Sequence, residues 1–167
     1  TTFIKQEPVP VQVIETFGLD PSSIIRLGGG LVNASYQASR NERKILLQRL
    51  GVDIPPNSTN DVAVYSKHLS DRSWEAPKLV VVKEESYFFT DEAGLGWRAF
   101  EFIESDGFTP PVDVSLSRNL GALLARWHID ISTLDHKPSS VIPGFHDINY
   151  HSKKLKELES TLPTQES

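Results

Sequence analysis

The sequence predicts an α+β fold: a five-stranded antiparallel sheet, with one helix after its third strand, is followed by a helical region. Short apolar or alternating segments bounded by turn residues occur between residues 24 and 50 and again between residues 79 and 103, as strands require. Apolar residues recur at helical spacing between these groups, at residues 62–69, and on a longer face at residues 116–131. The strands therefore come first and the long helices last.

Three strands in succession are predicted to follow a short amino-terminal helix. The helix is expected around residues 13–17, and Gly18 is suited to end it as a C-cap. The strands are predicted at residues 24–27, 34–39 and 45–50. A run of three glycines separates the first two and a polar turn separates the next two, so we expect an antiparallel meander.

The helix after the third strand is predicted from Val62, Tyr65 and Leu69, which share one helical face. Thr59 or Asn60 is suited to be its N-cap, because short polar side chains accept hydrogen bonds from the free N–H groups there. The helix would run for roughly three turns.

Two more strands complete the predicted sheet. Residues 79–90 are interpreted as one interrupted strand and residues 97–103 as a strong fifth strand. Because strand residues alternate between faces, Trp97 is expected on one face of the sheet and Arg98 on the other.

The second half is predicted to be helical. After a linker at residues 105–112, a long helix is expected with Asp113 or Ser115 as its cap. Its apolar face consists of Leu116, Leu120, Leu123, Leu124, Trp127 and Ile131. A break at residues 142–145 precedes a last, charged helix that ends before Pro163.

The composition excludes several classes of function. The formal net charge of the 167-residue chain is −5 and no basic stripe occurs, which argues against nucleic acid or an anionic membrane as a partner. No run of 18 apolar residues is present, so no membrane span is expected. The lack of cysteine excludes disulfides and thiolate zinc sites, and we expect a cytoplasmic protein. Methionine is absent even at position 1, so we expect a processed or trimmed chain.

The glycine run at Gly28, Gly29 and Gly30 has two interpretations. A glycine turn between two strands can lay its backbone N–H groups over a phosphate chain, because no Cβ obstructs the approach. Three glycines between strands also occur as a plain hairpin turn. The order of the strands and helices after this turn favours the phosphate-covering role.

Five segments in order carry a resemblance to a known family. They read GLVNASY at residues 30–36, ILLQRL at 45–50, WRAFEFI at 97–103, GALLARWH at 121–128 and PGFHD at 143–147. They resemble the aminoglycoside-phosphotransferase-like, protein-kinase-like superfamily, and within it the N-acetylhexosamine 1-kinase-type sugar kinases. The resemblance covers nearly the whole chain.

The resemblance implies a kinase-like amino-terminal lobe at residues 1–104, a hinge or linker at 105–112, and the start of a helical carboxy-terminal lobe at 113–167. It implies that ATP with Mg²⁺ binds between the lobes and that its γ-phosphoryl group passes to a hydroxyl of a sugar, an amino sugar or a similar small molecule.

The resemblance also assigns residues to the nucleotide. The glycine turn and Asn33 would cover the phosphates. Glu101, Phe102 and Ile103 would form the hinge, whose backbone N–H and C=O groups pair with adenine.

The third strand should carry a cation that neutralises phosphate charge, which in protein kinases is a lysine paired with a helical glutamate. Here that position reads Gln48–Arg49, and strand alternation lets only one of the two face the nucleotide. Arg49 supplies charge and Gln48 does not. On the following helix Asp61 stands where a glutamate is expected.

The catalytic residues and the Mg²⁺ ligands are expected outside this chain. No segment after residue 128 has the His-Gly-Asp pattern and downstream asparagine of the family, and residues 128–130 are interpreted as a helix end. The chain alone is therefore expected to be inactive. Phe145, His146 and Asp147 would lie near the acceptor pocket, or else form a helix-capping turn.

Two other functions remain as alternatives to an ATP-dependent phosphotransferase. One is a non-catalytic nucleotide-binding or pseudokinase-like module, which the missing lysine and catalytic loop favour. The other is an unrelated α+β binding domain in which the glycine run is only a turn.

Overall fold

The computed structural model describes residues 8–28, 30, 32–82, 85–105, 113–139, 144 and 146–159. The helices are α1 (Val11–Phe17), α2 (Ser58–Ser70), α3 (Val114–Ser132) and α4 (Ile148–Glu159). The strands are β1 (Ile25–Leu27), β2 (Ala34–Arg40), β3 (Arg43–Arg49), β4 (Phe88–Thr90) and β5 (Gly96–Glu101). None of the described helices is long and apolar enough to cross a membrane.

The strands form one antiparallel sheet in the order β1-β2-β3-β5-β4, so the predicted α+β fold with a helix after the third strand is confirmed. The predicted interrupted strand at residues 79–90 is also found. Leu79 makes a single bridge to Phe100, and Phe88–Thr90 then pairs with the same edge of β5. Between them the Val82 N–H donates to the Ser86 carbonyl at 2.8 Å.

One face of the sheet, which we call the α1 face, forms the core. Tyr36, Leu47 and Ala99 lie opposite one another in register on β2, β3 and β5 and are buried. Val13 and Phe17 of α1 belong to the same apolar cluster and are fully buried. Each large side chain removed from water in this way contributes about 1.5–3 kcal/mol. Gly18 ends α1 in the left-handed conformation, as predicted.

The start of α2 differs from the prediction. The helix begins at Ser58, with Asn57 at its N-cap position, and the Asn57 side chain makes no capping hydrogen bond. Thr59 and Asn60, the two predicted caps, lie inside the first turn. The reason is that the N–H groups of residues 58, 59 and 60 donate to the carbonyls of residues 55, 56 and 57. These short-range bonds satisfy donors that a cap side chain would otherwise serve.

The end of α2 is tied to the end of α3. His68 Nε2 lies 2.8 Å from the Asp130 carbonyl oxygen, and Arg72 Nη2 donates to Thr133 Oγ1 at 2.9 Å. The Trp74 indole N–H, just beyond α2, donates to Asp130 Oδ2 at 2.7 Å. The long helix α3 begins at the predicted cap, since Asp113 Oδ1 accepts from the Leu116 N–H at 2.7 Å.

Candidate functional site

The face of the sheet opposite α1, which we call the far face, carries a row of polar side chains. Ser35 of β2, Gln48 of β3 and Arg98 of β5 stand opposite one another in register. Arg98 Nε donates to Gln48 Oε1 at 3.1 Å, and Gln48 Nε2 donates to Ser35 Oγ at 3.3 Å. Leu27, the last residue of β1, extends the row beside Ser35. The row therefore lies next to the turn that joins β1 to β2.

Arg98 brings a positive charge into this row. Its side chain is half-buried, and its guanidinium lies over the Phe100 ring, 5.1 Å from the centroid. Burial lowers the pKa of the Arg98 guanidinium, because the charged form loses solvation. A guanidinium nevertheless stays protonated in proteins. The row thus holds a permanent cation in a partly dehydrated setting.

The neighbouring row on the far face is largely apolar. Ile25, Gln37, Leu46 and Phe100 lie in register across β1, β2, β3 and β5, and Leu79 bridges to Phe100 at the edge. Two residues along a strand advance by about 7 Å, so the apolar row lies that far from the polar one. It is displaced toward the end of β5, where the predicted hinge begins.

Gln48 and Arg49 lie on opposite faces of the sheet. Arg49 is in register with Ala34 and Trp97, both buried on the α1 face. Gln48 is in register with Ser35 and Arg98 on the far face. Strand alternation alone could not decide which of the two residues shares a face with the polar row. The register shows that it is Gln48, which belongs to that row.

The β1–β2 turn is held by Asn33. Its Oδ1 accepts a hydrogen bond from the Gly51 N–H at 3.0 Å, which joins the turn to the loop after β3. Gly30 lies in this turn, and a Cβ there would overlap the Asn33 carbonyl oxygen, so a glycine is required. A Cβ on Gly28 would meet nothing within 4 Å. Gly29 lies outside the described residues.

The backbone of the predicted hinge is partly engaged. The Glu101 N–H donates to the Lys78 carbonyl at 2.8 Å, and the Phe102 N–H donates to the Lys44 carbonyl at 3.2 Å. Ile103 follows with an exposed side chain. Its N–H meets no acceptor within the described part of the chain.

Asp61, the suggested partner of the strand-three cation, lies in the first turn of α2 and contacts the segment that follows α3. Its Oδ1 lies 2.9 Å from His136 Nε2 and accepts from the Ser139 N–H at 2.9 Å. Its Oδ2 accepts from Ser139 Oγ at 3.0 Å. The carboxylate therefore fixes the first turn of α2 to the segment that follows α3.

The other singled-out residues have local structural contacts. Residues 128–130 lie inside α3, as interpreted from the sequence. Asp147 Oδ1 accepts from the Tyr150 N–H at 3.0 Å at the start of α4, which is the capping geometry. His146 precedes it with a positive φ of 63°, and Phe145 lies outside the described residues.

A cavity of about 900 Å³ reaches the edge of the apolar row, because Leu79 and the predicted hinge residues Glu101 and Phe102 contribute to its lining. It is situated at the end of the sheet where β2 turns into β3, and Arg40, Ile45, Val80 and Glu101 contribute to its lining. It contains none of Ser35, Gln48 and Arg98.

The described residues offer no metal centre: no group of three or more His, Asp or Glu side chains among them is close enough to hold an ion. The sequence alone did not mark Arg98 as a candidate site residue. Alternation placed it beside Phe100, but its contact with Gln48 depends on the β3–β5 register, which no local pattern encodes.

The fold is similar to that of solved phosphotransferases. No protein-family model matches the sequence, and no curated protein matches it. The amicoumacin kinase hAmiN, in complex with AMP-PNP, Ca²⁺ and Ami, has a TM-score of 0.67 and 17% identity, over 94% of this chain and 49% of that one. The spectinomycin phosphotransferase APH(9)-Ia, in complex with ADP and spectinomycin, has a TM-score of 0.52 and 16% identity, over 96% of this chain and 50% of that one.

This chain thus spans about half the length of these two structures. At 17% and 16% sequence identity, the similarity to these two structures concerns the fold alone. It shows that the chain has an α+β, kinase-like fold similar to that of the matched parts of the amicoumacin kinase and the spectinomycin phosphotransferase.

Proposed function

We propose that this chain is the nucleotide-binding part of an ATP-dependent phosphotransferase that acts on a hydroxyl of a small molecule. The observation that carries the proposal is the pair of far-face rows beside the glycine turn. In the apolar row the partly exposed Leu46 offers an apolar contact to a flat base, and the polar row offers hydrogen bonds and a cation to phosphates.

The hinge supplies the directional contacts in this proposal. Adenine on the apolar row would meet the backbone of residues 101–103, where Ile103 can donate its N–H and Glu101 can accept through its carbonyl. Gly28, Gly29, Gly30 and Asn33 would cover the phosphates. In the proposed division, residues 1–104 form the nucleotide-binding lobe, 105–112 the linker and 113–167 the start of the helical lobe.

Nucleotide binding is tested by titrating ATP into the isotopically labelled chain and following backbone amide shifts by NMR. We expect shifts at Ile25, Leu46, Phe100 and Ile103 on the far face and hinge, and none at Tyr36 or Ala99 on the α1 face. A titration to millimolar ATP that leaves the far-face amides unmoved would contradict the proposal.

The acceptor is proposed to be a sugar, an amino sugar or a similar small molecule in a cytoplasmic setting. Support comes from the sequence resemblance and from the neighbours, which are a kinase of amicoumacin and a phosphotransferase of spectinomycin. The test is ATP consumption by the full-length protein with Mg²⁺ and a panel of N-acetylhexosamines, amino sugars and amino alcohols. Turnover with none of them would refute the acceptor class.

A non-catalytic nucleotide-binding module is the second candidate. It is favoured by the neutral Gln48 at the strand-three position. The two candidates differ in one measurement: a module of this kind binds ATP in the full-length protein without transferring its γ-phosphoryl group. The 167-residue chain alone is predicted not to transfer it in either case.

A further inference from the structure

The polyphosphate of a bound nucleotide needs positive charge, and the β3 residues next to the glycine turn do not provide it on the far face. Gln48 is neutral, and Arg49 is turned to the α1 face with Ala34 and Trp97. Positive charge at the phosphates is a general requirement of phosphoryl transfer, because the nucleotide is strongly anionic. A cation must therefore reach the phosphates from another part of the molecule.

Among the described strand residues, Arg98 and Lys44 are the cationic side chains on the far face. Lys44 lies four residues before Gln48 on β3, or about 13 Å away along the strand. It is at the hinge end of the sheet and forms an ion pair with Glu104. Arg98 is directly opposite Gln48, in the row next to the glycine turn.

The contacts of Arg98 leave its charge available. Its Nε donates to Gln48 Oε1, while neither Nη atom has an acceptor and no carboxylate pairs with it among the described residues. Within the part of the chain that the structure describes, only Gln48 Oε1 and the Phe100 ring offset the solvation that this half-buried guanidinium has lost. An anion bound at the far face would restore it through charge-assisted hydrogen bonds from the two Nη groups.

Gln48 fixes the direction of this cation. The side chain accepts from Arg98 Nε and donates to Ser35 Oγ, so it links β5 to the strand that leaves the glycine turn. A lysine or arginine at position 48 would repel Arg98, whereas a neutral amide holds it. The neutral residue on β3 and the cation on β5 are thus complementary.

We propose that Arg98 binds the nucleotide phosphates in place of a strand-three lysine, with Gln48 as the residue that positions it. This inference rests on the proposed function, because it names the phosphate contact of the same site. In this proposal the Arg98 guanidinium binds the polyphosphate, and the neighbouring Gln48 side chain holds the guanidinium in the required orientation.

The test compares the affinities of ATP, adenosine and inorganic tripolyphosphate for the chain and for Arg98→Gln, with Lys44→Gln as the matched control. Arg98→Gln should weaken ATP and tripolyphosphate by about tenfold to a hundredfold, as expected for loss of charge-assisted hydrogen bonds. Adenosine should bind as before. Lys44→Gln should change the ATP affinity by less than about threefold, as for an exposed charge.

A double variant separates phosphate binding from a merely structural role. Gln48→Lys combined with Arg98→Gln moves the charge from β5 to β3, and it should recover most of the ATP affinity that Arg98→Gln loses. Gln48→Ala should weaken ATP less than Arg98→Gln does. Thermal melts of each variant establish that it is folded.

The outcomes distinguish the two proposals. If the unaltered chain binds tripolyphosphate through Arg98 but neither ATP nor adenosine, the proposed function fails and the anion site stands. If it binds ATP and Arg98→Gln weakens ATP and adenosine equally, or no more than Lys44→Gln does, the role of Arg98 is refuted and the proposed function stands. If the chain binds none of the three ligands, both fail.

Discussion

At the scale of single residues, Asp91 joins the β4–β5 turn to the core. Its Oδ1 accepts from the N–H groups of Ala93 and Leu95, at 3.0 and 2.9 Å, and so closes the turn. Its Oδ2 accepts from the Trp97 indole N–H at 2.7 Å. Trp97 is buried on the α1 face, so this carboxylate satisfies a donor that water cannot reach.

We expect Asp91→Ala to lower the free energy of unfolding by about 2–3 kcal/mol, because it leaves the Trp97 N–H buried without an acceptor and opens the turn. Denaturant unfolding followed by tryptophan fluorescence measures the loss. Glu92→Ala, at an exposed position of the same turn, should change stability by less than about 0.5 kcal/mol. Equal effects of the two substitutions would contradict the role given to Asp91.

For single residues, the sequence predicts the face of the sheet on which a side chain lies better than it predicts the residue that the side chain contacts. Alternation along residues 97–103 correctly separates Trp97 from Arg98, since the period of a strand is fixed by backbone geometry. The contact between Arg98 and Gln48 spans 50 residues of chain and depends on how β3 and β5 are registered. That register is set by the packing of both faces, which a single strand does not reveal.

At the scale of elements, the β1–β2 turn depends on Gly30 more than on Gly28. A Cβ at Gly30 would overlap the Asn33 carbonyl oxygen, whereas one at Gly28 would point into open space. Asn33 in turn holds the loop at Gly51. A change at Gly30 would therefore shift the residue that joins two loops.

Gly30→Ala is expected to cost about 1–3 kcal/mol of stability, as overpacking at a constrained site does. Gly28→Ala is the matched control, and its effect should be within about 0.5 kcal/mol. Thermal unfolding of the two variants provides the comparison. The amide chemical shift of Gly51 should change in Gly30→Ala and not in Gly28→Ala. If Gly28→Ala lost more stability than Gly30→Ala, Gly30 would not be the glycine on which the turn depends.

The helix α2 is fastened at both ends to the segment around the end of α3. Asp61 in its first turn contacts His136 and Ser139, and His68 in its last turn contacts Asp130. We infer that a substitution that loosens α2 also loosens residues 130–139, and that the reverse holds as well. The predicted α2 caps were wrong because a turn after Pro55 and Pro56 supplies the first hydrogen bonds through backbone carbonyls.

Asp61→Ala should detach the segment that carries His136 and Ser139 from α2. It should lower the free energy of unfolding by about 1–3 kcal/mol, because three donors lose a buried acceptor. Hydrogen exchange should become faster at the Ser139 amide, which donates to Asp61, while the β2–β3 amides keep their protection. Asp71→Ala is the control, since Asp71 is exposed and pairs only locally with Lys67. Unchanged exchange at Ser139 in Asp61→Ala would show that the contact does not hold the segment.

At the scale of the whole molecule, the sheet is well packed on its α1 face while α3 is largely exposed. The helical spacing correctly predicts a long helix over residues 116–131, and its apolar side chains share a face. Leu120 is nevertheless 63% exposed, and Leu123, Leu124 and Trp127 are also exposed. Periodicity identifies an apolar face but not what covers it, so burial could not be predicted from the pattern.

We expect this apolar face to bind a hydrophobic fluorescent dye in the folded chain, because contiguous exposed apolar side chains offer it a surface. Leu120→Lys with Leu124→Lys should lower the dye signal by about half or more. The free energy of unfolding should change by less than about 1 kcal/mol, because both side chains are exposed. Asn119→Lys adds charge to the same helix at a polar exposed position and should leave the dye signal intact. If the double substitution does not alter dye binding, the apolar surface that the dye recognises is not that of α3.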